Sequence, residues 1–220
     1  MSCIAFILIA VISYLLGSLN FGVILSNRVK NDDIRNHGSG NAGTTNMLRN
    51  YGKKIAFLTI AGDMLKVFVS IGISFAIIKF LPMAIDDFTA VTLKGIDSNI
   101  YIKSLSGFFC VLGHIFPCYF GFKGGKGVAT AGGMVFAIDW RIGLILLVVF
   151  VLVLLVSKYV SLGSLVMALL YPVFIYVFHR SPALTGIAAV FTVVVVVAHR
   201  SNIKKLITHT ESKISFKSKK

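Results

Sequence analysis

Gly113-His114-Ile115-Phe116-Pro117-Cys118-Tyr119-Phe120-Gly121-Phe122-Lys123-Gly124-Gly125-Lys126-Gly127-Val128-Ala129-Thr130 leaves an apolar run at an aromatic, proline-containing boundary and then places five glycines and lysines in a row. Glycine at 124, 125 and 127 lets the backbone turn without a side-chain penalty, so several N–H groups are expected to point at one place. Lys123 and Lys126 add full positive charge, and Thr130 adds a hydroxyl. A helix starting near Gly127 contributes its N-terminal N–H groups and dipole to the same anion site. The chemistry suits a phosphate. A second glycine-rich stretch, Gly38-Ser39-Gly40-Asn41-Ala42-Gly43-Thr44-Thr45-Asn46-Met47-Leu48-Arg49, has the same ingredients earlier in the chain.

Working outward, both stretches interrupt long apolar runs. Of the 220 residues 56% are hydrophobic, and mean hydropathy is +0.87. A soluble domain needs a polar surface and does not reach that average, so the chain reads as an all-α integral membrane protein. Cys3, Cys110 and Cys118 are odd in number and sit in apolar surroundings, which implies no disulfide framework. Residues 1–25 lack a basic lead and a small-residue cleavage pattern, so they read as a retained first span, not a removed signal.

The spans are expected at about 4–25, 55–81, 104–120, two short ones within 130–156 on either side of Asp139-Trp140-Arg141, then one to about Phe178 and one to Ala198. A re-entrant segment is the alternative for 130–156. Ser18, Gly22 and Ser26 recur every four residues as a small face for a neighbouring helix, with Asn20 as a packing hydrogen bonder. Asp63 and Lys66 lie inside the second span at i and i+3, where charges either pair or serve a site. The chain is expected to be a single domain, 1–220, with a basic tail at 199–220 near anionic headgroups.

The net charge of +14 would suggest nucleic acid in a soluble protein. Here its placement argues for the positive-inside rule. With about seven spans, segments 26–54, 121–130, 157–161 and 199–220 share one face and hold sixteen of the 22 basic residues. The other face has Lys79, Lys94, Lys103, Arg141 and Arg180. The heavy face is therefore expected to be cytoplasmic, the C-terminus inside and the N-terminus outside.

The inner-face inventory is Ser39, Asn41, Thr44, Thr45, Asn46 and Arg49 from the first motif, then Lys123, Lys126 and glycine N–H groups from the second. Ser161 and Ser164 come from the third segment, and His199 and Asn202 from the tail. It is rich in cations and neutral donors and poor in carboxylates, which disfavours paired-carboxylate hydrolysis and a carboxylate-held metal. Two anionic groups side by side match it better. A nucleotide-binding Walker loop does not fit, because Phe120 stands where its first glycine belongs and Gly127 takes the hydroxyl position.

The two glycine-rich motifs, together with Asp63-Met64-Leu65-Lys66, Ser161-Leu162-Gly163-Ser164 and His199-Arg200-Ser201-Asn202-Ile203, closely resemble the acyl-phosphate-dependent glycerol-3-phosphate acyltransferase family, PlsY, of bacteria. Where many members have glycine shortly before the tail glutamate, this chain has His209. The resemblance implies transfer of a fatty acyl group from acyl phosphate to the sn-1 hydroxyl of glycerol 3-phosphate, at the cytoplasmic face of the bacterial plasma membrane. The products are lysophosphatidic acid and phosphate. It implies no cofactor and no metal, a partner enzyme that makes acyl phosphate, and membrane lipids as surroundings. It assigns Ser39, Arg49, Lys126 and His199 to catalysis, and Asn41, Thr44, Thr45, Asn46, Gly124, Gly125, Ser164 and Asn202 to substrate binding. His199 is either a general base or a neutral donor. The competing reading is a transporter for organic phosphates, whose sites lie near mid-bilayer between repeated halves; no repeat is seen in this sequence.

Overall fold

The computed structural model describes residues 2–80 and 97–214. Asp86, Asp87 and Lys94 of the expected outer connection, and Phe216, Lys217, Lys219 and Lys220 of the tail, lie outside the described residues. The described residues are all-helical, with no strand among them. They divide into two compact units, Met1–Ile138 and Asp139–Lys220.

The first unit contains α1 (Ser2–Gly17), α2 (Phe21–Lys30), α3 (Thr44–Phe80), α4 (Ser98–Ile115) and α5 (Val128–Ile138). The expected first span is one candidate span, Ile4–Lys30, built of the two helices α1 and α2. Asn20 ends the break by accepting from the Val23 N–H, which makes it a cap instead of a packing group. Gly17 and Gly113 let α1 and α4 touch: a Cβ at 17 would stand 2.0 Å from the Cys110 carbonyl oxygen, and one at 113 would stand 2.1 Å from that of Tyr14. Ser13, Ser106 and Ser70 then link α1, α4 and α3 by side-chain hydrogen bonds of 3.1 and 2.8 Å. In hydrocarbon, where two apolar helix faces gain little by meeting, small residues and such bonds hold helices together.

The Ser18-Gly22-Ser26 face meets a helix only at Ser18, whose backbone Gly113 of α4 approaches. Gly22 lies against the Ala42 carbonyl, and Ser26 accepts from the Ile34 N–H. The rest of the face carries the first motif loop. Helix α3 bends at Gly52, whose φ of 82° is left-handed; the segment before the bend belongs to the loop, and the longer segment after it is the expected second span. Helix α4 begins at Ser98, capped by Asp97, six residues earlier than the sequence suggests, because Lys103 lies within it and does not stop it.

The second unit contains α6 (Trp140–Ser157), α7 (Val160–His179), α8 (Pro182–Ala198) and α9 (Arg200–Ile207). Its turns are short and left-handed at Lys158 and Arg180. Gly163 sits against the Phe150 ring, and Thr192 on α8 donates to the Ala168 carbonyl of α7 at 2.7 Å.

Among the described residues, five helical stretches are long and apolar enough to cross a membrane, or six if Pro182–Ala198 and Arg200–Ile207, bent by 62°, count together. The chain is an integral membrane protein. The expected division of 130–156 appears as α5 and α6, broken at Asp139, which caps α6. Helix α5 has 11 residues, about 16 Å of rise, which is short of a hydrocarbon core of about 30 Å.

Candidate active site

In the first unit the loop between α2 and α3 is fastened from below. Val23, Ile34, Ala42, Met47 and Ala56 form a buried cluster, with Leu25, Leu48, Tyr51, Ile55 and Phe120 packed against it. From above it is stapled by Asn46. Its Nδ2 donates to the carbonyls of Ile34, His37 and Asn41, and its Oδ1 accepts from Ser39 N–H and Asn50. Asn46 is 2% exposed. It therefore acts as a scaffold residue, with its hydrogen-bonding capacity filled by the loop it shapes.

The staple leaves the outer residues of the motif differently placed. Ser39 is exposed, while Asn41 turns its Oδ1 to the Gly43 N–H at 2.8 Å. Thr44 Oγ1 is buried with no partner among the described residues, so a ligand oxygen there would complete it. Thr45 is half-buried and Arg49 is exposed on the first turns of α3.

The twin-lysine turn is also fastened, and its backbone donors are not aimed as expected. The N–H groups of Phe122, Lys123, Gly124 and Gly125 donate to the carbonyls of Pro117, Phe120, Ile115 and His114. The N–H groups of Gly124 and Gly125 are thus engaged within the turn, and both are residues of close approach. A Cβ at 124 would lie 2.0 Å from the His114 carbonyl oxygen, and one at 125 would lie 2.1 Å from His114 Nε2. The turn folds back onto the end of α4, and only glycine fits there. Gly127 has φ of 77°, and α5 starts at the next residue, as the sequence suggests. Lys126 is half-buried and Lys123 exposed.

Beneath the turn lies the Asp63–Lys66 pair. Lys66 Nζ donates to Asp63 Oδ1 at 2.9 Å and to the carbonyls of Gly17 and Leu19 at the α1–α2 break. His114 Nδ1 lies 2.9 Å from this ammonium and 3.3 Å from Asp63 Oδ1. The ring's other nitrogen, Nε2, lies under Gly125. His114, 2% exposed, thus connects a buried charge pair to the turn.

In the second unit, the break between α8 and α9 carries His199, whose Nδ1 lies 2.8 Å from the Val195 carbonyl oxygen. A carbonyl only accepts, so Nδ1 bears the proton and a neutral ring presents Nε2 as a base or acceptor. Glu211, which the motifs alone leave without a role, proves to be a hub of this unit. Its Oε1 accepts from Ser161 Oγ and from Asn202 Nδ2, each at 2.7 Å. Ser164 donates to the Val160 carbonyl of its own helix at 2.9 Å. Asn202 Oδ1 remains buried without a partner among the described residues. The signal for Glu211 was present in the sequence, as the one acid in a basic tail.

Residues 7–209 match the family model described as glycerol-3-phosphate acyltransferase. A glycerol-3-phosphate acyltransferase of Clostridioides difficile is 40% identical, covering 99% of each chain. One of Bartonella henselae is 38% identical over 94% of this chain and 90% of its own. Among solved structures, PlsY, an integral membrane glycerol 3-phosphate acyltransferase, superposes in its glycerol 3-phosphate form with a TM-score of 0.79. It is 35% identical, covering 96% of each chain. Its lysophosphatidic acid form superposes with a TM-score of 0.76 at 33% identity, covering 96% of this chain and 95% of the other.

Proposed function

Because this chain belongs to the glycerol-3-phosphate acyltransferase family, we propose that it moves a fatty acyl group from acyl phosphate to the sn-1 hydroxyl of glycerol 3-phosphate. One observation carries the reading. Nearly the whole chain superposes on an acyltransferase solved in a glycerol 3-phosphate form and in a lysophosphatidic acid form, the acceptor and product of this reaction. An organic-phosphate transporter, the other reading of the sequence, has no comparable support.

The hydroxyl oxygen of glycerol 3-phosphate attacks the acyl carbonyl carbon. The bond from that carbon to the phosphate oxygen breaks, and the hydroxyl proton leaves with His199 Nε2 or with the departing phosphate. No covalent acyl-enzyme is needed, since phosphate is a good leaving group. Ser39, Thr44, Thr45 and Arg49, with Lys126, serve the phosphates of the two substrates, Arg49 by its fork and Lys126 as a point charge. Asn41 orients the motif from its Asx turn. Glu211 sets the rotamers of Ser161 and Asn202, leaving Asn202 Oδ1 to accept from a substrate hydroxyl. Ser164 keeps its lone pairs for substrate while its proton is held by Val160. Aligning hydroxyl and acyl carbon supplies several kcal/mol of the barrier reduction, out of the roughly 7–11 that orientation can give. The reaction takes place at the cytoplasmic face of a bacterial plasma membrane. The chain crosses that membrane about seven times, and a separate enzyme supplies acyl phosphate.

The test is detergent-solubilised protein given acyl phosphate and glycerol 3-phosphate. Stoichiometric phosphate and lysophosphatidic acid, formed without a second compartment, establish the reaction. Absence of both after lipid reconstitution refutes it.

A further inference from the structure

In the sequence Arg35 is one charge among many on a basic loop; in the fold its guanidinium joins two distant turns. We propose that Arg35 is a positioning residue that clasps the first glycine-rich loop to the twin-lysine turn. The inference rests on the reading above, in which those two turns serve the substrates' phosphates.

The guanidinium faces two ways. Nε lies 3.0 Å from each Asp33 oxygen, and Nη2 lies 2.6 Å from Asp33 Oδ2. Nη1 reaches across the chain and donates to the carbonyls of Phe120 at 2.7 Å and Lys123 at 2.9 Å. The cation also stands 5.9 Å from the Phe120 ring centroid. Asp33 is itself fixed, since its Oδ1 accepts from the Arg35 N–H at 2.9 Å and caps the turn Ile34–Asn36. With these contacts made, at most one guanidinium N–H is left, which is too few for a bidentate grip on a phosphate. Arg35 therefore acts on the turns and not on substrate.

The two carbonyls it holds bracket Gly121 and Phe122, at φ of 64° and 58°. A left-handed phenylalanine persists only where its surroundings over-determine it, and Nη1 pins both ends of that pair. Lys126 follows three residues beyond the second pinned carbonyl. On the other side, Ile34 sits in the cluster that supports the Ser39–Arg49 motif. The clasp therefore sets the spacing between Lys126 and the serine–arginine motif. Lysine could not replace it, having one donor centre where the site needs a planar fork.

The experiment compares full-length Arg35→Ala, Arg35→Lys and Asp33→Asn with the parent protein. Nitroxides at Asn36→Cys and Lys123→Cys, in a background lacking the native cysteines, report the distance between the two turns by pulsed electron resonance. The parent is expected to give one narrow distribution, and both Arg35 variants a broad one. KM for the phosphate substrates should rise about tenfold to a hundredfold, the scale of a lost charge-assisted hydrogen bond, with kcat less affected. Added guanidinium should narrow the distribution and restore turnover in Arg35→Ala, and should do neither in Lys126→Ala. A narrow distribution with unchanged KM in Arg35→Ala overturns the clasp, as does loss that guanidinium does not relieve. If Arg35→Ala fails to fold, Asp33→Asn, which loosens the same fork from its other side, decides by the same readouts. Should the parent itself transfer no acyl group, the functional reading fails while the distance measurement still judges the clasp.

Discussion

At the scale of single residues, the proposed site divides into groups assigned to substrate and groups that hold those in position. Lys126 is half-buried just before α5, whereas Lys123 is exposed. Lys126→Ala is therefore expected to lower kcat/KM about a hundredfold or more, the loss seen when one transition-state donor is removed, and Lys123→Ala much less. Steady-state kinetics with both substrates checks the order. His199→Gln preserves a donor but removes the basic nitrogen, and should cost about a hundredfold in turnover if general-base transfer operates. His209 is informative in another way. Its φ is 55°, the region in which glycine is unstrained, and the resemblance places glycine near here in many members. His209→Gly should relieve roughly 1 kcal/mol of left-handed strain, seen as a raised Tm with turnover retained.

At the scale of elements, buried charge and acid sensitivity become predictable. Asp63 and Lys66 are 1% and 4% exposed and hold α3 to the α1–α2 break. Asp63→Asn or Lys66→Met alone strands the other charge and should cost about 3–5 kcal/mol. The double replacement should recover much of that, in thermal unfolding in detergent. The loop between α2 and α3 depends instead on a carboxylate outside the membrane. The hydrogen bond from Arg35 holds Asp33 below its ordinary 3.8. A carboxyl with a lowered folded-state value contributes stability above about pH 4, and that contribution disappears as pH falls through the lowered value. Acid below about pH 4 should accordingly loosen this loop, visible as proteolytic cleavage within residues 31–43, and Asp33→Asn should loosen it already at neutral pH.

At the scale of the whole molecule, the positive-inside arrangement predicts which residues share a side. Cysteines placed at Asn36 and Lys213 should react with an impermeant reagent only from the cytoplasmic side of oriented membranes, and one at Arg180 only from outside. The reverse pattern, or a split between Asn36 and Lys213, contradicts the proposed orientation. The helices also keep much of their apolar surface outward. Phe57, Leu65, Val156 and Val193 are more than half exposed, as expected for side chains facing lipid instead of water.

What could be read from the order of residues was whatever depends on local chemistry. Apolar run length marked most of the helices, the break at Asp139 and the start of α5 after Gly127 were visible, and the two motifs were found as motifs. Hydropathy and glycine's conformational freedom act within a few residues, so they need no fold to be recognised. The direction of each hydrogen bond was a matter for the tertiary structure. Gly124 and Gly125 signalled an anion loop, but their N–H groups turn back to Ile115 and His114, because α4 ends where its carbonyls need donors. Asn46 looked like a ligand-binding amide and is a staple. Arg35 looked like surface charge and reaches carbonyls 85 and 88 residues away. Glu211 reaches Ser161 across 50 residues. A donor's partner is chosen by which distant acceptor the packed helices bring within about 3 Å, and no local pattern encodes that choice.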